Sequence, residues 1–127
     1  MVTAEDVRQV ALGLPRTNEG LVRDRVKFRV GRIVYASISG DETVMGFGFP
    51  KEERAALIAA EPDKFFMPIK SDERYNWVRA WMGALDPDEM RELIIDAWCL
   101  CVPKKVSAAY LATLPLPGPD GPASAPS

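Results

Sequence analysis

Three extended segments follow one another between Val22 and Phe49 with almost nothing between them. The breaks fall at Gly31-Arg32 and Gly40-Asp41, and both are short. Parallel strands need a crossover of about a dozen residues or more, so these segments can pair only as an antiparallel meander. In the first, Val22, Asp24, Val26, Phe28 and Val30 alternate with Arg23, Arg25, Lys27 and Arg29. That period of two predicts a strand with one buried and one solvated face. Asp24 interrupts the apolar side, which allows the strand to start at Arg25 instead. Ile33–Ser39 and Thr43–Phe49 are the second and third strands. Gly46 and Gly48 in the third mark a bulge or a close backbone approach.

Helices flank the meander. Thr3 is an N-cap with Asp6 as its capping-box partner, and Val7, Val10, Ala11 and Leu14 form one apolar stripe. Gly13 and Pro15 stop this helix, and Arg16–Gly20 reads as a polar loop. Pro50 opens a second helix that runs to about Ala60, anchored by Leu57 and Ile58, with Glu52 and Glu53 suited to its N-terminal dipole. Phe65–Met67 is a short strand, Pro68–Asn76 a polar loop and Trp77–Met82 a fifth strand. Asp86, Pro87 and Glu89 form a capping box before the stripe Met90, Leu93, Ile94, Ala97, Trp98 and Cys101. Pro103 ends that helix, and Lys104–Leu114 forms a further short one. The order is α-β(3)-α-β(2)-α, an α+β two-layer sandwich whose antiparallel sheet carries its helices on one face. Residues 1–114 are one domain, and the Pro/Gly-rich residues 115–127 a flexible tail.

Several classes of function are excluded or disfavoured. The chain has no histidine, which removes Ser-His-Asp and Cys-His nucleophile pairs and imidazole metal ligands. Its serines and threonines have no recognisable base, so no catalytic residue and no enzyme activity is expected. Cys99 and Cys101 point about 200° apart on a helix and cannot join each other. Two thiolates alone do not build a zinc site, and no metal or cofactor is expected. Asp88, Glu89, Glu92 and Asp96 read as a solvated acidic helix face. The N-terminus lacks the basic and apolar regions of a signal peptide, and no membrane span is visible. A cytoplasmic protein with no membrane partner is expected.

The net charge of −2 conceals an uneven distribution. Residues 21–40 carry five cations, Arg23, Arg25, Lys27, Arg29 and Arg32, against Asp24 alone. Residues 83–101 carry one cation and five acids. Cations at period two form a ladder whose rungs recur at distances comparable to phosphates along a DNA strand. Arg also meets phosphate bidentately. Arg79, Lys104 and Lys105 are candidate rim contacts, and Trp77 and Trp81 share the face of Arg79 as a candidate stacking or partner surface. The alternatives stay open from sequence: the cations solvate an open face or pair with acids, and the tryptophans pack under a helix.

The order and spacing of several motifs resemble the MmcQ/YjbR family of small bacterial proteins over about Thr3 to Leu114. They are Ala11-Leu12-Gly13-Leu14-Pro15, Glu19-Gly20, Lys27-Phe28-Arg29-Val30, and Pro50 through Leu57. Phe65-Phe66, Trp77-Val78, Leu85 through Glu89, Ala97-Trp98 and Pro103-Lys104-Lys105 complete the set. The resemblance implies a secretion-chaperone-like sandwich, also compared with frataxin-like proteins. Members are commonly labelled DNA-binding, on a proposed double-wing arrangement, and offer no catalytic residues to carry over. Many have His-Trp before the fifth strand, where this chain has Asn76-Trp77. The expected partner is therefore DNA, bound weakly and without much sequence preference. The alternative is a protein partner or a homodimer, as other secretion-chaperone-like folds bind proteins.

Overall fold

The computed structural model describes residues 1–22 and 25–114. Arg23, Asp24 and the tail expected at 115–127 lie outside the described residues. Helix α1 (Ala4–Leu12) is followed by four strands, β1 (Thr17–Val22), β2 (Arg25–Val30), β3 (Ile33–Ile38) and β4 (Val44–Gly48). Then come α2 (Lys51–Ala60), β5 (Phe65–Phe66), β6 (Trp77–Trp81), α3 (Pro87–Cys99) and α4 (Lys104–Leu111). The strands form one antiparallel sheet in the order β1-β2-β3-β4-β6-β5. The α+β class and the antiparallel sheet match the sequence reading.

The element count differs by one strand. The segment expected as a polar loop from Arg16 to Gly20 contributes most of β1, whose register runs from Thr17 opposite Val30 to Val22 opposite Arg25. Polar side chains and a glycine hide this strand because it is an edge. Among the described residues it pairs with β2 alone as a strand and buries little side chain.

Registry fixes which residues share a face. Phe28, Ala36, Phe47 and Val78 are mutual partners across four strands, as are Val26, Ile38, Met45, Ala80 and Phe65. These residues point toward the helices, and all but Val26 are buried. The register shifts between Phe28 and Arg29, which leaves Tyr35 as an extra residue beside Ala36, and both are buried. The Tyr35 hydroxyl meets the Thr17 hydroxyl at 2.9 Å, and burial pushes its pKa up to about 12. Helices α1 and α3 pack on each other, and α3 lies across β3 and β4. Trp98 is fully buried between them, and its indole N–H donates to the Pro15 carbonyl.

The helix caps follow the sequence in part. Thr3 and Asp6 form the full reciprocal capping box. Asp86 accepts from the Glu89 amide, but the Glu89 carboxylate pairs with Lys64 at 2.8 Å instead of returning to the cap. Pro50 is the N-cap of α2, not its first turn. Leu57 and Ile58 of α2 are only half-buried, whereas Arg54 is buried and donates to the carbonyls of Glu73, Tyr75 and Trp77. This guanidinium holds the return segment that leads into β6. No helix among the described residues is long and apolar enough to cross a membrane.

Candidate functional site

Among the described residues the helices α1 and α3 pack on the face just described, and the other face is reached only by the short 3-10 turn Lys70–Asp72, through Asp72. On this other face, Lys27, Ser37, Gly46, Arg79 and Phe66 form one row across β2, β3, β4, β6 and β5. Arg25 and Arg29 flank Lys27 on β2, and Trp77 and Trp81 flank Arg79 on β6. Period two places them there, since alternate residues of a strand share a face. Arg25 and Arg29 are about 13 Å apart by strand rise, and Lys27 and Arg79 about 14 Å apart by strand spacing. Among the described residues, ion pairs join only Arg8 and Lys64 to carboxylates, so none of these face cations is neutralised by a pair. The sheet's helical side, in contrast, uses Glu19 of β1 to bind Arg8 of α1 at 3.0 Å.

Glycines let long side chains lie flat on this face. A Cβ at Gly46 would come within 2.7 Å of the Trp77 ring, so the indole rests on bare backbone. A Cβ at Gly20 would meet Arg29 Nη2 at 2.8 Å, so that guanidinium lies on β1 in the same manner. The close approach expected at the glycines of β4 is therefore present at Gly46, with Trp77 as its partner. Trp81 is 46% exposed and stacks on Phe66 at 4.7 Å with 28° between the rings. Arg79 covers the same phenyl ring, 4.7 Å from its centroid, and donates through Nε and Nη2 to the Met67 carbonyl. Burial lowers the pKa of Arg79, and the like charge of Arg25 adds to this while Asp72 opposes it.

A trough of about 110 Å³ opens between the two cationic strands. Ser37, Ser39, Val44 and Gly46 are small residues on its floor, and Trp77, Ile69, Asp72, Arg25 and Arg79 complete its lining. Asn76, at the place of the relatives' histidine, accepts the Lys51 amide proton and so caps α2.

The expected site residues divide into groups. Arg25, Lys27, Arg29, Arg79, Trp77 and Trp81 share the open face. Trp81 is exposed, and Trp77 is half-buried with its ring on Gly46. Arg32 is exposed in the β2–β3 turn at the sheet's end. Lys104 and Lys105 are exposed at the start of α4, which joins the helical layer through Tyr110 against Trp98, so they do not extend the open face. Arg23 lies outside the described residues. Sequence reasoning missed Phe66, Ser37, Ile69 and Asp72. Alternation could have found Ser37, since it occupies a polar-face position of its strand. Ile69 and Asp72 come from an aperiodic loop with no such signal.

Elsewhere the surface offers less. Cys99 and Cys101 are free and partly buried, and burial raises both thiols. Among the described residues, no three His, Cys, Asp or Glu side chains are grouped to hold a metal ion.

The family model YjbR matches residues 12–100. Uncharacterized proteins of Mycobacterium tuberculosis and Mycobacterium bovis are each 30% identical to the chain, with 88% of it and 98% of the relative covered. The crystal structure of Deinococcus radiodurans protein DR2400, with domain DUF419, superposes with a TM-score of 0.71 at 22% identity. That match covers 93% of this chain and 94% of that one, a likeness of fold.

Proposed function

The chain belongs to the YjbR family, and on that footing we propose that its open sheet face binds the phosphate backbone of DNA, weakly and largely without regard to sequence. One observation carries the reading: Arg25, Lys27, Arg29 and Arg79 share the face opposite Phe28, Phe47 and Val78, and no ion pair neutralises them among the described residues. A solvated sheet face needs only one row of charges. Here three cations stand on β2 and one, Arg79, on β6, with small residues between them, so a polyanion meets contacts on two strands. Phosphate contacts of this kind position a strand but carry no base information.

The test is a titration of labelled DNA at low ionic strength, repeated as salt is raised. Affinity on the order of 10⁻⁴ to 10⁻⁶ M is expected at physiological salt and tighter below it, with log Kd rising about 0.9 per log unit of salt for each duplex phosphate engaged. Absence of binding at low salt, or binding indifferent to salt, overturns the reading.

A second reading, a homodimer that binds no DNA, is favoured by the β1 edge. There Leu21 is 72% exposed and Val22 43% exposed, beside unpaired edge backbone. Light scattering separates the two: a dimer dissolved by Leu21→Lys, with no DNA affinity, favours this one.

A further inference from the structure

We infer that the trough between β2 and β6 seats one nucleotide of an unpaired DNA strand, so that the open face prefers single-stranded to duplex DNA. This rests on the DNA-binding reading above and narrows its ligand.

The lining is rich in donors without internal acceptors. Among the described residues, the Ser37 hydroxyl and the Trp77 indole N–H make no hydrogen bond, and Arg25 makes none either. Arg79 commits Nε and Nη2 to Met67, which leaves Nη1 available. Arg25, Arg79 and Asp72 together give the lining a net charge of one positive. A phosphodiester carries one negative charge and fits this balance better than a terminal phosphate with nearly two. Asp72, an acceptor among donors, suits a base N–H of the attached nucleoside. About 110 Å³ is room for the phosphodiester of one nucleotide, whose base lies along the rim.

Base pairing is the discriminating feature. In a duplex the phosphates lie on outer ridges while the bases turn inward and stack. A duplex can present a phosphate to the trough, but only an unpaired strand can at the same time lay neighbouring bases against Trp77 and the exposed Trp81–Phe66 stack. The aromatics stand beside the trough on β6 and β5, so one strand can meet charge and stacking in succession.

Fluorescence anisotropy of a labelled oligothymidylate, alone and annealed to its complement, tests the inference at low salt. The single strand is expected to bind on the order of tenfold more tightly, the worth of about one stacked base. Gly46→Ala displaces Trp77 from its bed, and Ser37→Leu fills the floor from a solvent-facing position without disturbing that bed. Either variant, checked for folding by circular dichroism, is expected to lose the preference and retain duplex affinity. Equal affinity of the wild type for both forms overturns the inference and leaves the DNA reading intact. So does a preference that survives Ser37→Leu. Displacement of the oligomer by equimolar thymidine monophosphate also overturns it, since the trough is then a mononucleotide site. Failure of both forms to bind removes the DNA reading itself.

Discussion

Along β6, Val78 and Ala80 are fully buried, while Trp81 between sheet and solvent is 46% exposed. Along β4, Phe47 is fully buried against the helices and its neighbour Gly46 offers bare backbone to Trp77 on the other side. The two faces of one sheet thus differ in build. The covered face fills volume with Phe28, Phe47, Phe65 and Trp98, where dispersion and apolar burial act. The open face spaces its cations and aromatics around small residues, where charge and stacking remain available. On the proposed reading, most stability resides on one side and recognition on the other, so charge substitutions on the open face should be separable from core substitutions.

The covered side offers the largest effect. Phe47 packs edge-to-face on Phe49 at 6.3 Å and on Phe65 at 6.2 Å. Phe47→Ala is expected to cost about 3–5 kcal/mol in urea unfolding. A loss below about 1 kcal/mol would mean that the helices do not close over β4. Next comes Arg54→Met, which removes a buried guanidinium from three carbonyls, at 2.8, 3.2 and 3.1 Å. Hydrogen bonds to charged groups are worth about 1.5–3 kcal/mol, so a loss of about 2–3 kcal/mol is expected in the same experiment. Because Arg54 anchors the segment entering β6, proton exchange at Trp77 and Val78 should accelerate alongside.

The open side sharpens the contrast. Gly46→Ala forces the Trp77 ring off the backbone, and overpacking of this kind costs about 1–3 kcal/mol. Its signature is a change in tryptophan emission, because Trp77 is only half-buried to begin with. The smallest effect concerns pH. Hydrogen bonds from Thr43 first, then Ser39, hold the Asp41 carboxyl below its usual range at the β3–β4 turn. A carboxyl with a depressed folded pKa stabilises the fold above its unfolded value, about 3.9. That contribution is lost as pH falls through the folded value. The small difference in Tm between wild type and Asp41→Asn should therefore be present at neutral pH and vanish in acid.

How much of this was legible in the sequence depends on whether side-chain period reports burial. The β2 ladder was readable because its alternation is the physical consequence of one covered and one open face. Trp77, Arg79 and Trp81 were readable as sharing a face for the same reason, but which face was open required the partners: Val78 and Ala80 align with Phe47 and Met45 of the core. Strand β1 escaped because an edge strand takes its stability from backbone pairing and shows no apolar period. Arg54 escaped because its partners are carbonyls of a distant loop, which no residue type announces. Lys104 and Lys105 were grouped with the basic face on charge alone, and only the packing of Tyr110 on Trp98 assigns their helix to the opposite layer.

The separation of faces is tested most directly by the charge reversal Arg25→Glu, Arg29→Glu, with unfolding free energy and DNA affinity measured on the same preparation. Stability is expected to stay within about 1 kcal/mol, as surface substitutions allow. Affinity at low salt should fall steeply, and its dependence on salt should flatten by about 0.7–0.9 in log–log slope for each phosphate the variant no longer engages. Unchanged affinity in a folded double variant contradicts the account.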